Sequence, residues 1–235
     1  MIAGVQKTTL IDFPPYIACT LFTKGCNFRC PYCHNPELVD NEMPDIPLDE
    51  VFTFLSSRRK LLDGVCVSGG EPTIHGKQLI ELLYSMKQMG FMLKLDTNGS
   101  NPTVLREIVG ERLVDYVAMD VKSARSNYNV AAGVAVDLDA VSESINLLKE
   151  SRLEHEFRTT VLPTIHGKQE LEDIIEWLSP SNIVIQQFRN MRVLDKRLHA
   201  TEPYSEDEVK QLIGHRKENL TCRGFNTSDN KYPLQ

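Results

Sequence analysis

Three cysteines, Cys26, Cys30 and Cys33, lie within eight positions of one another in the stretch CNFRCPYCHN. Thiolates with this C-x₃-C-x₂-C spacing can converge on one soft metal centre, and their number is informative. A closed structural zinc site needs four protein ligands. A cubane iron–sulfur cluster has four irons, so three cysteines leave one iron free to bind another molecule. The stretch by itself favours such a cluster.

Three other interpretations of the cysteines remain open at this point. A zinc site could be completed by His34 or by a distant cysteine. The last two cysteines could form a redox pair, although a third thiol is crowded against them upstream. An oxidised framework is the weakest interpretation, because the chain has six cysteines in 235 residues and no small disulfide-dense module.

Length and composition predict a single domain of ordinary globular type. A chain of 235 residues with 41% hydrophobic residues can bury a full core. We expect a core over about residues 15–190 and a C-terminal helix and tail over 191–235. The net charge of −6 disfavours nucleic acid as the main partner, since such domains usually carry a clustered basic surplus.

A cytoplasmic location is expected from the absence of targeting and membrane signals. No apolar run reaches the ~18 residues that a membrane span needs, and the N-terminus lacks a signal-peptide pattern. The cytoplasm also keeps thiols reduced. We therefore expect no membrane partner.

Apolar, β-rich runs alternate with helical patterns along most of the chain. This alternation predicts an α/β fold with a parallel sheet, either a partial barrel or a doubly wound sheet. Both architectures bind ligands at the carboxyl ends of the strands. The predicted strands cover residues 17–23, 64–68, 91–96, 115–120, 155–161 and 182–188, and the predicted helices cover 48–62, 76–89, 102–109, 137–148, 168–178 and 203–214.

Polar groups follow all six predicted strands, where a parallel sheet would bind its ligand. The first strand runs into the cysteine loop, and the others end in polar or glycine-rich segments. Buried strands rarely end in charged groups this often, so the convergence is the strongest argument for a site at this edge. The later segments are residues 68–73, 96–99, 120–122, 158–160 and 187–189.

Each of these segments also has a structural interpretation. Gly69-Gly70-Glu71 could bring the backbone close to a ligand, or it could form a tight turn with a capping glutamate. Residues 96–99 could be an Asn-Gly turn, and residues 120–122 could hold a solvated ion pair. Arg158 could bind a carboxylate or ribose, or pair with Glu154 or Glu156.

The cysteine loop and Gly69-Gly70-Glu71 together resemble the signature of the radical S-adenosylmethionine (radical SAM) superfamily, in which the position of Tyr32 is usually aromatic. The resemblance implies a partial (βα)₆ barrel and a [4Fe-4S] cluster on Cys26, Cys30 and Cys33, with the open iron chelating S-adenosylmethionine. Cofactor-binding residues implied by position are Tyr32, His34, Gly69, Gly70, Glu71, Asn98, Lys122, Arg158 and Arg189.

The segments LDTNG and DVK are similar to strand ends of the glycyl-radical-enzyme activating enzymes. That likeness implies a monovalent cation beside the cofactor carboxylate, and oxygen ligands suit a hard cation. Arg189 stands where those enzymes present a histidine near the adenosine. The cation ligands implied by position are Asp96, Thr97, Asp120 and Val121.

Residues 4–14 (GVQKTTLIDFP), residues 35–38 and residues 204–209 resemble the activating proteins of anaerobic ribonucleoside-triphosphate reductase. The resemblance covers nearly the whole chain. It implies reductive cleavage of S-adenosylmethionine, hydrogen abstraction from a glycine of that reductase, and flavodoxin or ferredoxin as electron donor. The alternatives are the activation of another glycyl-radical enzyme, such as pyruvate formate-lyase, and radical SAM chemistry on a small molecule.

Overall fold

A computed structural model describes residues 1–40, 43–214 and 219–225. The elements found within these ranges are eight strands, eight α-helices and two 3-10 helices, Pro72–His75 and Lys196–Ala200. The strands are β1 Ile2–Thr9, β2 Ala18–Thr23, β3 Gly64–Gly69, β4 Met92–Thr97, β5 Tyr116–Asp120, β6 Glu154–Val161, β7 Ile183–Gln187 and β8 Leu220–Arg223. The helices are α1 Pro36–Val39, α2 Leu48–Arg58, α3 Lys77–Gln88, α4 Pro102–Gly110, α5 Tyr128–Ala132, α6 Leu138–Glu150, α7 Lys168–Leu178 and α8 Glu206–Ile213.

The chain divides into two compact units, each built from more than one segment. The first unit contains residues 1–28, 35–119 and 137–155, and the second contains 29–34, 120–136 and 156–235. In the first unit, β1 pairs antiparallel with β2, and β2, β3, β4 and β5 follow one another in parallel. In the second unit, β6, β7 and β8 are also parallel neighbours. The predicted α/β class with a parallel sheet is confirmed.

The helices form where an apolar stripe and a capping residue coincide. Helix α3 buries Leu79, Leu82, Leu83 and Met86, which share one helical face. Asp137 caps α6, because its side chain accepts hydrogen bonds from the N–H groups of Asp139 and Ala140. No helix among the described residues is long and apolar enough to cross a membrane.

The six predicted strands correspond to β2 to β7, and the six predicted helices to α2, α3, α4, α6, α7 and α8. The prediction that α2 reaches residue 62 is wrong, because the chain turns after Arg58, whose carbonyl accepts from the N–H groups of Leu61 and Leu62. The prediction that α8 begins at residue 203 is also wrong. Ser205 caps this helix through a capping box with Glu208, which sets the start at Glu206.

Strands β1 and β8 and the short helices α1 and α5 were not predicted. Strand β1 precedes the expected core of residues 15–190, yet its residues Ile2 and Ala3 are buried in the first unit. Strand β8 falls within the segment expected to be a helix and tail, of which residues 226–235 lie outside the described ranges. The single domain over 1–235 stays a prediction.

Candidate functional site

The first unit holds Cys26 at the end of β2 through backbone hydrogen bonds. The N–H of Gly25 donates to the carbonyl of Leu38 at 2.6 Å, and the N–H of Cys26 donates to the carbonyl of Val39 at 3.3 Å. Both acceptors belong to α1, so this short helix supports the start of the cysteine loop. The Cys26 sulfur in turn accepts from the N–H of Phe28 at 3.4 Å.

Gly69 and Gly70 lie against the backbone of this same region. A Cβ on Gly70 would stand 2.0 Å from the Gly25 carbonyl oxygen, and one on Gly69 would stand 2.3 Å from the backbone of Thr23. Gly69 also has a φ of +121°, which other residues rarely adopt. Close packing of chain on chain therefore requires glycine at both positions, independently of any ligand.

Glu71 is a buried carboxylate with four hydrogen-bond donors around it, and only 1% of the residue is exposed. Its Oε1 accepts from the N–H of Thr73 at 3.0 Å and from the hydroxyls of Thr73 and Thr97 at 2.6 and 2.7 Å. Its Oε2 accepts from the N–H of Asn98 at 2.6 Å. Burial raises the pKa of Glu71, and these hydrogen bonds oppose the rise. The capping interpretation is confirmed, since Glu71 is the N-cap of a 3-10 helix.

Asn98 links the end of β4 to the cysteine loop. Its Nδ2 donates to Oδ1 of Asn27 at 2.9 Å, and Nδ2 of Asn27 donates to the hydroxyl of Ser100 at 2.8 Å. Glu71, Asn98 and Asn27 thus form a continuous hydrogen-bonded chain that ends next to Cys26. Asn27 was not predicted, because a lone asparagine inside a cysteine loop carries no pattern of its own.

Asp96 is paired with a buried lysine on its own strand. Nζ of Lys94 lies 3.0 Å from Oδ1 of Asp96, and the hydroxyl of Ser68 donates to Oδ2 at 3.0 Å. The same ammonium donates to the carbonyl of Asp12 at 2.6 Å. Lys94 was not predicted either, although its place two residues before Asp96 puts both side chains on one face of β4.

The second unit holds residues 29–34, which carry Cys30 and Cys33. The N–H of Arg29 donates to the carbonyl of Ala132 at 2.8 Å, and the N–H of Asp195 donates to the carbonyl of Pro31 at 2.8 Å. Gly133 follows α5 with a φ of +70°, and a Cβ there would meet the Arg29 carbonyl oxygen at 2.1 Å. The unpredicted helix α5 therefore positions this part of the cysteine loop.

The carbonyl of Lys122 accepts hydrogen bonds from two aromatic side chains. The hydroxyl of Tyr32 donates to it at 3.3 Å, and Nε2 of His166 donates to it at 2.9 Å. Because Nδ1 of His166 accepts from the N–H of Leu162 at 3.3 Å, the ring is neutral with its proton on Nε2. Burial lowers the pKa of His166 to about 4.

Asp120, Lys122 and Arg158 form a charged group in the second unit. Arg158 Nε donates to Oδ1 of Asp120 at 2.8 Å, and Lys122 Nζ donates to Oδ2 at 3.1 Å. Burial would raise the pKa of Asp120, but Arg158 and then Lys122 lower it well below its usual range. Arg158 pairs with Asp120, whereas Glu156, one of the two glutamates considered as its partner, pairs with Arg223.

The remaining predicted residues of the second unit are His34, Val121 and Arg189. The His34 ring stacks on Phe188 with centroids 6.4 Å apart, and burial lowers its pKa. The carbonyl of Val121 accepts from the hydroxyl of Thr159 at 2.9 Å. Arg189 is exposed, and its charge also contributes to the lowered pKa of His34.

None of the six cysteines, all of which lie in the described ranges, forms a disulfide. Cys30 is buried, and this burial raises its pKa to about 11. Cys26 and Cys33 are partly exposed. In the described ranges, no three His, Cys, Asp or Glu side chains are arranged to hold a single metal ion. Of the other three cysteines, Cys19 and Cys66 are buried and Cys222 is partly exposed.

Comparison with known proteins gives the class to which this chain belongs. The sequence profile of the radical SAM superfamily matches residues 20–178. A Methanocaldococcus jannaschii protein named as a glycyl-radical enzyme activating enzyme is 30% identical over 217 residues, which are 90% of each chain. The pyruvate formate-lyase-activating enzyme of Staphylococcus aureus is 32% identical over 130 residues, which are 51% of each chain.

Solved structures show the same fold. A domain of the pyruvate-formate lyase-activating enzyme from Bacteroides vulgatus has a TM-score of 0.55 at 20% identity and covers 68% of this chain and 99% of that one. Streptococcus suis SuiB bound to S-adenosylmethionine has a TM-score of 0.65 at 13% identity. The match covers 85% of this chain but only 48% of SuiB.

The chain therefore belongs to the radical SAM superfamily and, within it, to the glycyl-radical enzyme activating enzymes. It is an enzyme whose cofactors are a [4Fe-4S] cluster and S-adenosylmethionine. The reduced thiols of the cysteine loop are the soft donors that such a cluster requires, so the residues present fit the group.

Proposed function

We propose that Cys26, Cys30 and Cys33 bind the cluster and that its fourth iron binds S-adenosylmethionine. Three thiols at this spacing leave one iron without a protein ligand. Cluster binding requires thiolates, so it must displace the proton that burial keeps on Cys30. The fixed backbone on each side of the loop reduces the entropy lost when the thiolates bind.

The surrounding residues would bind and orient S-adenosylmethionine. Backbone groups of Gly69, Gly70 and Glu71 would accept from its amino group, and Lys122 and Arg158 would supply positive charge for its carboxylate or ribose. When bound, these cofactors would supply a 5′-deoxyadenosyl radical and methionine through one-electron cleavage of the sulfonium, and this radical would remove a hydrogen atom from the target glycine.

Other predicted residues have supporting roles in this proposal. Tyr32 and Asn98 would hold the cysteine loop and the end of β4 in place through the hydrogen bonds described above. His34 and Arg189 would lie near the adenosine. Flavodoxin or ferredoxin would supply the electron, and a cytoplasmic location follows from the use of reduced thiols.

The target we propose is anaerobic ribonucleoside-triphosphate reductase. The observation that carries this choice is the N-terminal segment of residues 4–14, which resembles the activating proteins of that reductase. In this chain the segment contains most of β1 and the turn after it, where Leu10 and Ile11 are 66% and 76% exposed. These side chains are therefore accessible to a partner enzyme.

Pyruvate formate-lyase is the second candidate target. It is favoured by the 32% identity to a Staphylococcus aureus enzyme named for its activation. That likeness extends over about half of the chain, whereas the resemblance to the reductase activators also includes the N-terminal segment.

Electron paramagnetic resonance of the reconstituted enzyme with each target separates the candidates. The enzyme, S-adenosylmethionine and a reductant would be mixed with the reductase or with pyruvate formate-lyase under anaerobic conditions. We expect a glycyl radical signal in the reductase that is absent when its target glycine is replaced by alanine. A signal in pyruvate formate-lyase alone would overturn the choice, and cofactor cleavage with neither signal would indicate another substrate.

A further inference from the structure

We propose that the Lys94 ammonium, a charge built into the protein, takes the place of the monovalent cation at Asp96. An alkali ion would then not be needed for S-adenosylmethionine to bind. The proposal rests on cofactor binding at the predicted residues and not on which glycyl-radical enzyme is the target.

The position of Lys94 carries the proposal. The residue is only 4% exposed, and its Nζ lies 3.0 Å from Oδ1 of Asp96. A second contact, to the carbonyl of Asp12 at 2.6 Å, holds the ammonium in place. The Asp12 carbonyl accepts a hydrogen bond from the ammonium, and the Asp96 carboxylate supplies the opposite charge beside it. Carboxylate and carbonyl oxygens are also the ligands that a hard cation uses.

The Lys94 ammonium therefore lies against a carboxylate oxygen and a carbonyl oxygen, the two kinds of oxygen that an alkali ion also uses. It is tethered to β4, and it neutralises Asp96 without having to be recruited from solution. The hydroxyl of Ser68 donates to the other oxygen of Asp96 at 3.0 Å, so that oxygen is also engaged. An added cation at Asp96 would be repelled by the ammonium already there.

The other predicted cation ligands are engaged by protein groups as well. The Thr97 hydroxyl donates its proton to Glu71. Both oxygens of Asp120 accept from cationic side chains, one from Arg158 and the other from Lys122. Both carboxylates among the predicted cation ligands, Asp96 and Asp120, are thus already paired with protein cations.

The test is the dissociation constant of S-adenosylmethionine at constant ionic strength in NaCl, KCl or choline chloride. It is measured on the reconstituted enzyme by equilibrium dialysis, without any target enzyme. For the unmodified enzyme we expect the three values to agree within about twofold. A loss of affinity in choline chloride of about fivefold or more, which is the usual size of coupling between two sites, would overturn the proposal.

The variant Lys94→Met provides a second test, in which the protein is changed as well as the salt. It removes the ammonium but keeps a long, apolar stem, so Asp96 gains the capacity to bind an alkali ion. We expect the affinity of the variant to fall in choline chloride and to recover in NaCl or KCl. Equal loss in all three salts would contradict the replacement of an ion by Lys94.

Lys87→Met is the matched control. Lys87 also pairs with an aspartate, through a 2.6 Å contact with Asp115, but its side chain is 32% exposed and neither residue belongs to the predicted site. This variant should bind S-adenosylmethionine equally in the three salts. If Lys94→Met does not fold, the salt series on the unmodified enzyme decides the question alone. An absent glycyl radical would refute the proposed target and leave these affinities unaffected.

Discussion

Each unit places a carboxylate at a strand end, and the two carboxylates are stabilised in different ways. Glu71 in the first unit is 1% exposed, and its donors among the described residues are hydroxyl and backbone N–H groups. The Asp120 side chain in the second unit is 31% exposed and is paired with Lys122 and Arg158. The surroundings act oppositely on the two groups, since they raise the pKa of Glu71 and lower that of Asp120.

The difference indicates that Glu71 holds the site together, whereas the charged groups around Asp120 can exchange partners. Neutral donors converge on Glu71 from three chain positions, so its loss would leave buried donors unsatisfied. The charges around Asp120 are partly exposed to solvent, so a ligand carboxylate can compete for them. We therefore expect Glu71 to matter most for stability and Asp120 most for cofactor affinity.

The largest expected effect is that of Glu71→Ala on stability. Leaving the N–H groups of Thr73 and Asn98 and the two threonine hydroxyls without an acceptor should cost about 3–5 kcal/mol of unfolding free energy. Anaerobic urea denaturation of the apo-protein measures this change. Glu81→Ala is the control, since Glu81 is exposed on α3 and should change stability by about 0.5 kcal/mol or less. Similar costs for both variants would contradict the role of Glu71.

The second prediction concerns His166, which is the buried neutral group of the second unit. Its pKa is about 4 in the folded chain, against about 6.5 when unfolded, so the unfolded chain binds one more proton between these values. The contribution of His166 to the free energy of unfolding is therefore complete above pH 6.5. Up to about 3 kcal/mol of that free energy is lost as the pH falls to 4.

His166→Gln tests that contribution without removing the hydrogen bond, because a glutamine amide can still donate to the Lys122 carbonyl. Urea denaturation from pH 7.5 to 4.5 should show a weaker loss of stability in the variant than in the unmodified protein. The control is His155→Gln, at a half-buried histidine of β6, and it is not expected to alter the slope to the same extent. Parallel stability curves for the unmodified protein and His166→Gln would show that His166 does not titrate as described.

The third prediction is that Asp120→Ala weakens the binding of S-adenosylmethionine about tenfold, or about 1.4 kcal/mol. The side chains of Lys122 and Arg158 would lose the carboxylate that orients them, while stability should change less than in Glu71→Ala. Equilibrium dialysis gives the affinity and urea denaturation gives the stability. Asp49→Ala, on the exposed first turn of α2, serves as control. A large loss of stability in Asp120→Ala, with unchanged affinity for S-adenosylmethionine, would contradict the different roles expected for Glu71 and Asp120.

The smallest expected effect is the coupling between Asn27 and Asn98. The single variants Asn27→Ala and Asn98→Ala and the double variant form a mutant cycle. We expect a coupling of about 1 kcal/mol or less in unfolding free energy, because one partly buried hydrogen bond joins the pair. The same variants should lose iron faster to a chelator. Strict additivity in both measurements would mean that this pair does not support the cysteine loop.

The parallel strands and the cysteine loop could be predicted because their signals are local. Helix α7 has the predicted bounds, since a single amphipathic stripe and a flanking glycine define it. Strand β1 was not predicted because the sequence IAGVQKTT contains few apolar residues. This segment is a strand because it pairs with β2. Strand β8 is four residues long and is likewise defined by its neighbour, β7.

The partners of the site residues could not be predicted, because they come from distant parts of the chain. Glu71 accepts from residues 26 and 27 positions away, and His166 donates to a carbonyl 44 positions away. Arg158 had two nearby glutamates, yet it pairs with an aspartate 38 positions away. Such residues meet only in the folded chain, and a single sequence does not show which distant positions will be in contact.

The claim that the three cysteines hold a cluster with an open iron is tested most directly by reconstituting the protein and its Cys30→Ser variant under anaerobic conditions. For the unmodified protein we expect about four irons and four sulfides per chain. We also expect 5′-deoxyadenosine to form once a reductant and S-adenosylmethionine are added. The variant should have lost most of the cluster and all of the cleavage. One zinc per chain without sulfide, or equal cleavage by the variant, would contradict the account.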